Sequence, residues 1–302
     1  MFGKKVLKVV QRRKITYIIS AVIIVAGLAS IAMRGGLKMG IDFAGGNMMQ
    51  VWMQDEVTIG EVRDVLIDTG YGNNVQKIAD SDKNLYILKT AALERDNDRV
   101  IQEITNALQE EFGNDRVVIE KVDIVGPRIS SYLLRTSYIV GLVAILLILL
   151  YTTFRFKFRF GVAAICALIH DVLIVLSFIS FFGKEMDTFI LAALLTIIGY
   201  SLNDTIVVFD RVRENLRSAK AFEDYENTVN LSINQSLSRT IITSITTLLV
   251  VISLYVVGGN IMRNFAFALI VGILVGTYSS MFVASAILVD WHRLKPEKTK
   301  KV

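Results

Sequence analysis

The sequence predicts a polytopic α-helical membrane protein: six transmembrane helices with a ferredoxin-like α+β periplasmic domain between the first and second. Three observations carry this. Apolar runs long enough to cross a hydrocarbon core of ~30 Å recur along the chain. Hydrophobic residues make up 53% of it and the mean hydropathy is +0.51, more than a water-soluble domain needs. Between the first two runs lies a polar segment with alternating strand and helix periodicity.

Composition also excludes. The net charge of +5 suggests nucleic acid only in bulk, because the basic residues flank apolar segments in a positive-inside pattern. Membrane lipid, not nucleic acid, is the expected surroundings. Cys166 is the single cysteine, which removes intramolecular disulfides and cysteine metal sites. His170 and His292 are too dispersed for a metal cluster, and no GxxxxGK loop occurs to cradle ATP. No cofactor, metal or enzymatic activity is expected.

In chain order, residues 1–14 are a basic cytoplasmic N-terminus holding Lys4, Lys5, Lys8, Arg12, Arg13 and Lys14. Residues 15–33 form the first membrane helix, read as an uncleaved anchor. Residues 34–127 form the periplasmic domain. Asn47–Met53 is a strand, Thr58-Ile59-Gly60-Glu61 a capping box, and Ile59, Val62 and Leu66 the apolar face of the helix behind it. Asn74–Ala79 and Leu85–Thr90 are strands around a turn at 80–84. Ile101, Ile104, Leu108 and Phe112 mark a second helix that ends at Gly113, and Arg116–Val125 is a last strand. The order βαββαβ is the split-βαβ pattern.

Gly126-Pro127 breaks that strand before a second membrane helix at 132–154, whose exit is marked by Arg155, Lys157 and Arg159. Further membrane helices follow at 160–182, 189–209, 237–257 and 261–289. A cytoplasmic loop occupies 210–236 and a basic cytoplasmic tail 290–302. Ala268, Gly272, Gly276, Ser280 and Ala284 recur every fourth residue in the sixth helix, a stripe for close helix packing.

Ionisable groups inside these runs are the functional candidates. Asp204 lies roughly 9 Å deeper along its helix than Asp210, where a lone Asp costs about 2.5–3.5 kcal/mol by insertion scales. Thr196, Tyr200 and Asp204 share one face at i, i+4, i+8 and read as a polar seam; the other reading is that Asp204 marks the end of the span. Arg239, with Thr243 and Thr246, lies one turn inside the fifth helix. It is either a snorkelling anchor or a partner for Asp204. His170 and Asp171 sit in the third helix and point about 100° apart, so they cannot both face one partner; Asp171 is a second-rank protonatable candidate. Asp42, flanked by glycines, reads first as a turn.

Gly40-Ile41-Asp42-Phe43-Ala44-Gly45-Gly46, Val125-Gly126-Pro127, and the fourth-helix stretch from Gly199 to Asn215 then occur together. That stretch carries Asn203-Asp204-Thr205 and Asp210-Arg211, and Ser238-Arg239-Thr240 follows it. With these the chain resembles the SecD/SecF family of bacterial protein-export membrane subunits, in the RND superfamily. The small first periplasmic domain and Asn203-Asp204-Thr205-Ile206-Val207-Val208 favour its SecF branch. The resemblance implies a heterodimer with SecD, association with the SecYEG channel, a preprotein substrate, and use of the proton-motive force for late steps of export. It implies an inner-membrane location with both termini cytoplasmic, and proton-relay roles for Asp204 and Arg239. An RND-type exporter of small or lipidic solutes and a passive translocon scaffold are the alternatives.

Overall fold

The structure, a computed structural model, describes residues 7–67, 69–72, 75–78, 84–91, 97–217 and 224–295. It divides into two compact units. Among the described residues six helices are long and apolar enough to cross a membrane.

The smaller unit, Met39–Tyr138 with Met186–Thr188, holds the sheet. Its elements are α2 (Ile41–Ala44), β1 (Gly46–Met53), α3 (Ile59–Ile67), β2 (Val75–Lys77), β3 (Asn84–Ala91), α4 (Asn97–Phe112) and β4 (Val117–Val125). The strands pair antiparallel in the order β2-β3-β1-β4, the ferredoxin-like arrangement that βαββαβ predicts. Strand alternation sends Met49, Val51 and Met53 of β1 into the core, against Val62 and Leu66 of α3 and Ile104 and Leu108 of α4. The capping box forms: Thr58 N–H and Oγ–H both donate to Glu61 Oε2, at 2.7 and 2.9 Å, and Glu61 N–H donates back to Thr58 Oγ1 at 3.3 Å. Those bonds hold the exposed Glu61 carboxyl below its ordinary 4.5.

Two details differ from the periodic reading. The buried face of α4 runs through Val100, Ile104 and Leu108, and Ile101 and Phe112 are only partly covered. Where β4 passes β1 the register slips between Gln50 and Val51, so Glu120 bulges from the ladder. Most of the expected turn at 80–84 lies outside the described residues, as do Lys4 and Lys5, part of the cytoplasmic loop and the end of the tail.

The larger unit contains α1 (Arg13–Met33), most of α5 (Pro127–Arg155), α6 (Phe158–Phe181), α7 (Thr188–Asn215), α8 (Tyr225–Val257), α9 (Asn260–Ser279) and α10 (Ser285–Leu294). The helices outrun their apolar cores. Helix α5 begins at Pro127, where proline's fixed φ suits the first helical position, and α8 begins at Tyr225 because its polar first turns keep helical propensity. Ser280–Ala284 joins α9 to α10 as a π-helical turn.

Close approach is set by small residues. A Cβ on Gly272 would lie 2.2 Å from Ile197 Cδ1, and one on Gly276 would lie 2.9 Å from Ser201 Cβ. The small-residue stripe is therefore the seam along which α9 meets α7. A Cβ on Gly27 would likewise strike Ser177, which lets α1 lie against α6 with Ser30 and Ser180 hydroxyls 2.9 Å apart. At one end of the unit Phe156, Phe160 and Phe209 cluster edge to face. Arg13, a topology signal in the sequence, is also a structural partner. It pairs with Asp290 at 2.7 Å, and Asp290 accepts a bond from Tyr17 at 3.0 Å.

Candidate functional site

Among the described residues the buried carboxylate with the most hydrogen-bond partners is Asp171, not Asp204. It is 1% exposed in the middle of α6. Ser201 of α7 donates to its Oδ2 at 2.5 Å, and Ser279, the last residue of α9, donates to the same oxygen at 2.8 Å. His170 Nδ1 lies 2.9 Å from Oδ1. The other ring nitrogen of His170 lies 2.8 Å from Ser20 Oγ on α1, and that hydroxyl is 3.5 Å from Tyr278 Oη. One carboxylate thus links four membrane helices. The angular argument for His170 and Asp171 holds: they reach different helices while also touching each other.

Local sequence explains why this hub forms. Helix α6 carries alanines at 163, 164 and 167 and α9 carries Gly272 and Gly276, so helices come near enough for short serine side chains to reach. The π turn starts directly after Ser279, and Ser285 Oγ donates to Ser280 O across it at 3.3 Å. Such turns widen the backbone ladder and occur often at functional sites. Ser20, Ser201, Ser279 and Tyr278 had no signal of their own, since lone serines are ordinary in membrane helices.

Asp204 follows Ser201 by three residues on the same buried stripe of α7 and is 3% exposed. It does not merely mark the end of its helix, which continues to Asn215. Its Oδ2 is buried with no hydrogen-bond partner, and so are the hydroxyls of Tyr200, Thr205 and Thr240. The expected seam is displaced. The hydroxyl of Thr196 bonds back to Ala192 O on an exposed face, and the buried polar line is Ser201, Asp204 and Thr205. The reason is the helical period: four-residue steps drift about 40° each, so Thr196 has turned outward by the time Asp204 faces in.

Among the described residues no direct ion pair joins Arg239 to Asp204. The guanidinium is exposed and lines a cleft of about 330 Å³ with Asn203, Asp210, Arg211, Glu214 and Gln235. Thr243 and Thr246, on the same outward face, bond to their own helix carbonyls. The pairing expected from the sequence is therefore open in this conformation.

The glycine-rich motif is a turn. Asp42 Oδ2 accepts from Thr188 N–H at 2.9 Å and Thr188 Oγ–H at 2.5 Å, and Gly40 N–H donates to Met186 O at 2.8 Å. Gly45 and Gly46 hold φ values of 74° and 135°, which side chains resist. Gly126 accepts the first helical bonds of α5 ahead of Pro127. Gly199 meets no atom within 4 Å, so packing within this chain does not demand it. Asp210 pairs with Arg155 at 3.0 Å and Arg211 with Glu214 at 2.7 Å. No group of acidic, histidine or cysteine side chains able to hold a metal occurs among the described residues.

Comparison with known proteins gives concordant results. The family model "Protein export membrane protein SecD/SecF, C-terminal" matches residues 104–294. The protein translocase subunit SecF of Rhodothermus marinus is 43% identical over 288 residues, covering 93% of this chain and 92% of that one. The SecF subunit of Desulfurispirillum indicum is 42% identical, covering 90% and 88%. The crystal structure of SecDF from Thermus thermophilus, described as a translocon-associated membrane protein, superposes with a TM-score of 0.84 at 34% identity, covering 97% of this chain. A SecDF structure in a super-membrane-facing form gives 0.70 at 36% identity and 98% coverage. This chain spans 40% of each of those SecDF chains.

Proposed function

The chain belongs to the SecD/SecF protein-export membrane family and is an accessory subunit of Sec protein translocation, and from that premise we propose that it couples the proton-motive force to late steps of preprotein movement. In this reading Asp204 carries the proton, Arg239 is its charged counterpart, and Asp171 conveys the change to the helices around it. The observation that carries the proposal is the buried Asp204 carboxylate with an oxygen that has no donor. Such an oxygen can gain a proton, a water or the guanidinium of Arg239. Exchange among them changes the charge buried beside Ser201, and through Ser201 it acts on the hub at Asp171.

SecD is the proposed partner. Thr196, Gly199 and Asn203 of α7, and Arg239, Thr243 and Thr246 of α8, form outward-facing lanes poor in apolar side chains. Lipid is a costly neighbour for such lanes, and an adjoining membrane protein satisfies them. Association with SecYEG, action on a preprotein, location in the bacterial inner membrane and cytoplasmic termini complete the reading.

The test is export and proton uptake in vesicles holding matched amounts of each variant with SecD. Asp204→Asn and Arg239→Met should assemble normally and fail to support export driven by an imposed gradient, and Asp204→Glu should retain part. Wild-type export from Asp204→Asn would leave this chain a scaffold.

A further inference from the structure

Residues 7–12 lie beside the first turns of α8 before α1 begins, and two asparagines of α8 take hold of them. Asn234 Oδ1 accepts from Leu7 N–H at 2.8 Å, and its Nδ2 donates to Leu7 O at 3.0 Å. One turn earlier Asn230, 2% exposed, accepts from Val10 N–H at 3.0 Å and donates to Gln11 Oε1 at 2.9 Å. We propose that Asn230 and Asn234 are positioning residues: by clamping this segment they fix the rotation of α8 about its axis and so aim Arg239. The inference rests on the coupling role proposed above for Arg239.

Chemistry makes the hold specific. Leu7 lies outside regular structure, so its backbone groups need partners. An asparagine amide offers an acceptor and two donors, which lets one side chain serve both of them. Asparagine is also a poor helix former, so two of them four residues apart inside α8 cost helix stability that these bonds offset. Packing fastens the same segment, because Val9 and Val10 are buried in the apolar cluster that contains Val229 and Ile233 of α8. The segment is itself anchored: Arg13, directly after it, pairs with Asp290 of α10 at 2.7 Å.

Geometry gives the clamp its consequence. At about 100° per residue, Arg239 lies roughly 180° around α8 from Asn230 and roughly 140° from Asn234. Ser232 Oγ and Gln235 Oε1, on the side of Arg239, accept from Asn215 Nδ2 of α7 at 2.8 and 2.9 Å. A helix held on one side can roll; held from two opposite sides it cannot. Helix α8 is continuous from Tyr225 to Val257, and Arg239 lies only about 7.5 Å further along it than Asn234. The direction of the guanidinium over the cleft it lines with Asn203 therefore follows the clamp.

Double electron–electron resonance reads the rotation in the full chain, with nitroxides at the native, exposed Cys166 of α6 and at Ile242→Cys on an exposed face of α8. Leu7→Pro removes one backbone N–H without touching α8, whereas Leu7→Ala keeps it and trims a side chain that is 51% exposed. Leu7→Pro and Asn230→Ala/Asn234→Ala should each move the distance by about 2 Å, the arc of a ~20° roll at a helix radius of ~5–6 Å. Leu7→Ala should leave it unchanged. In vesicles with SecD, both clamp variants should assemble normally and lose about tenfold in gradient-driven export. If Leu7→Pro assembles poorly, the asparagine pair carries the same test. An unmoved distance in the clamp variants overturns the proposal, and so does a moved distance with undiminished export where Arg239→Met fails. Wild-type export from Arg239→Met would instead sink the coupling role of Arg239, and the distances alone would then decide whether the clamp orients α8.

Discussion

Gly276→Ala tests whether the packing seam and the carboxylate hub are one device. The added methyl would sit 2.9 Å from Ser201 Cβ, 3.2 Å from its Oγ and 3.5 Å from its Cα. Carbon–carbon contacts settle near 3.5–4.0 Å, so α7 must retreat by roughly 0.6–1.1 Å. No rotamer avoids this, because the position of Cβ does not depend on χ1. Overpacking of this kind costs about 1–3 kcal/mol. The same movement lengthens the 2.5 Å bond from Ser201 to Asp171 beyond hydroxyl bonding range, and a bond to a charged group is worth about 1.5–3 kcal/mol. Alanine's better helix propensity returns about 1 kcal/mol. The net loss is then about 1.5–5 kcal/mol, a large share of a typical ~5–15 kcal/mol stability. Reversible denaturation in mixed detergent micelles measures it. Adding Ser201→Gly removes the obstructing Cβ and should recover the packing share of the loss, whereas Ser201→Ala keeps that Cβ and should not. Gly199→Ala, with open space around it, should be neutral or slightly stabilising. Wild-type stability for Gly276→Ala, or equal behaviour of the two Ser201 second-site changes, would refute the reasoning.

Three further outcomes follow. Asp171→Leu should destabilise the bundle by about 3–5 kcal/mol, because two serines and His170 lose their shared acceptor in a buried site; denaturation as above reads it, and a loss below about 1 kcal/mol would demote the hub. In the excised segment 37–125, which should fold as a small α+β unit with cooperative melting, Thr58→Ala should cost about 1 kcal/mol. The folded Glu61 carboxyl is held below 4.5, so its contribution is full above that pH and is lost as pH falls below it. Glu61→Gln should flatten that part of the melting-temperature profile, and an unchanged profile would count against the capping box. In a Cys166→Ala background, a cysteine at Asn114 should react with impermeant maleimide from outside, and one at Glu214 only after the membrane is opened; the opposite pattern would invert the proposed orientation.

Length and period determined much of this protein. Six apolar runs had to become helices because a bilayer leaves backbone groups no other partner. The element order βαββαβ between the first two apolar runs was enough to give the strand order. The capping box was legible because its four residues act locally. Asp204 stood out because a carboxylate inside an apolar run is costly wherever the helix turns. The direction in which each polar group faces, and what it meets, was decided only in three dimensions. Thr196 shares a nominal face with Asp204 yet ends outside, since a small angular drift per turn accumulates and the packed neighbour sets the buried stripe. Asp171 became the hub because glycines and alanines on α6 and α9 bring one serine from α7 and one from α9 within reach of its carboxylate, and the adjacent His170 extends it to Ser20 of α1. Serine hydroxyls leave no trace in a hydropathy pattern, and only the closeness of the backbones gives them a partner.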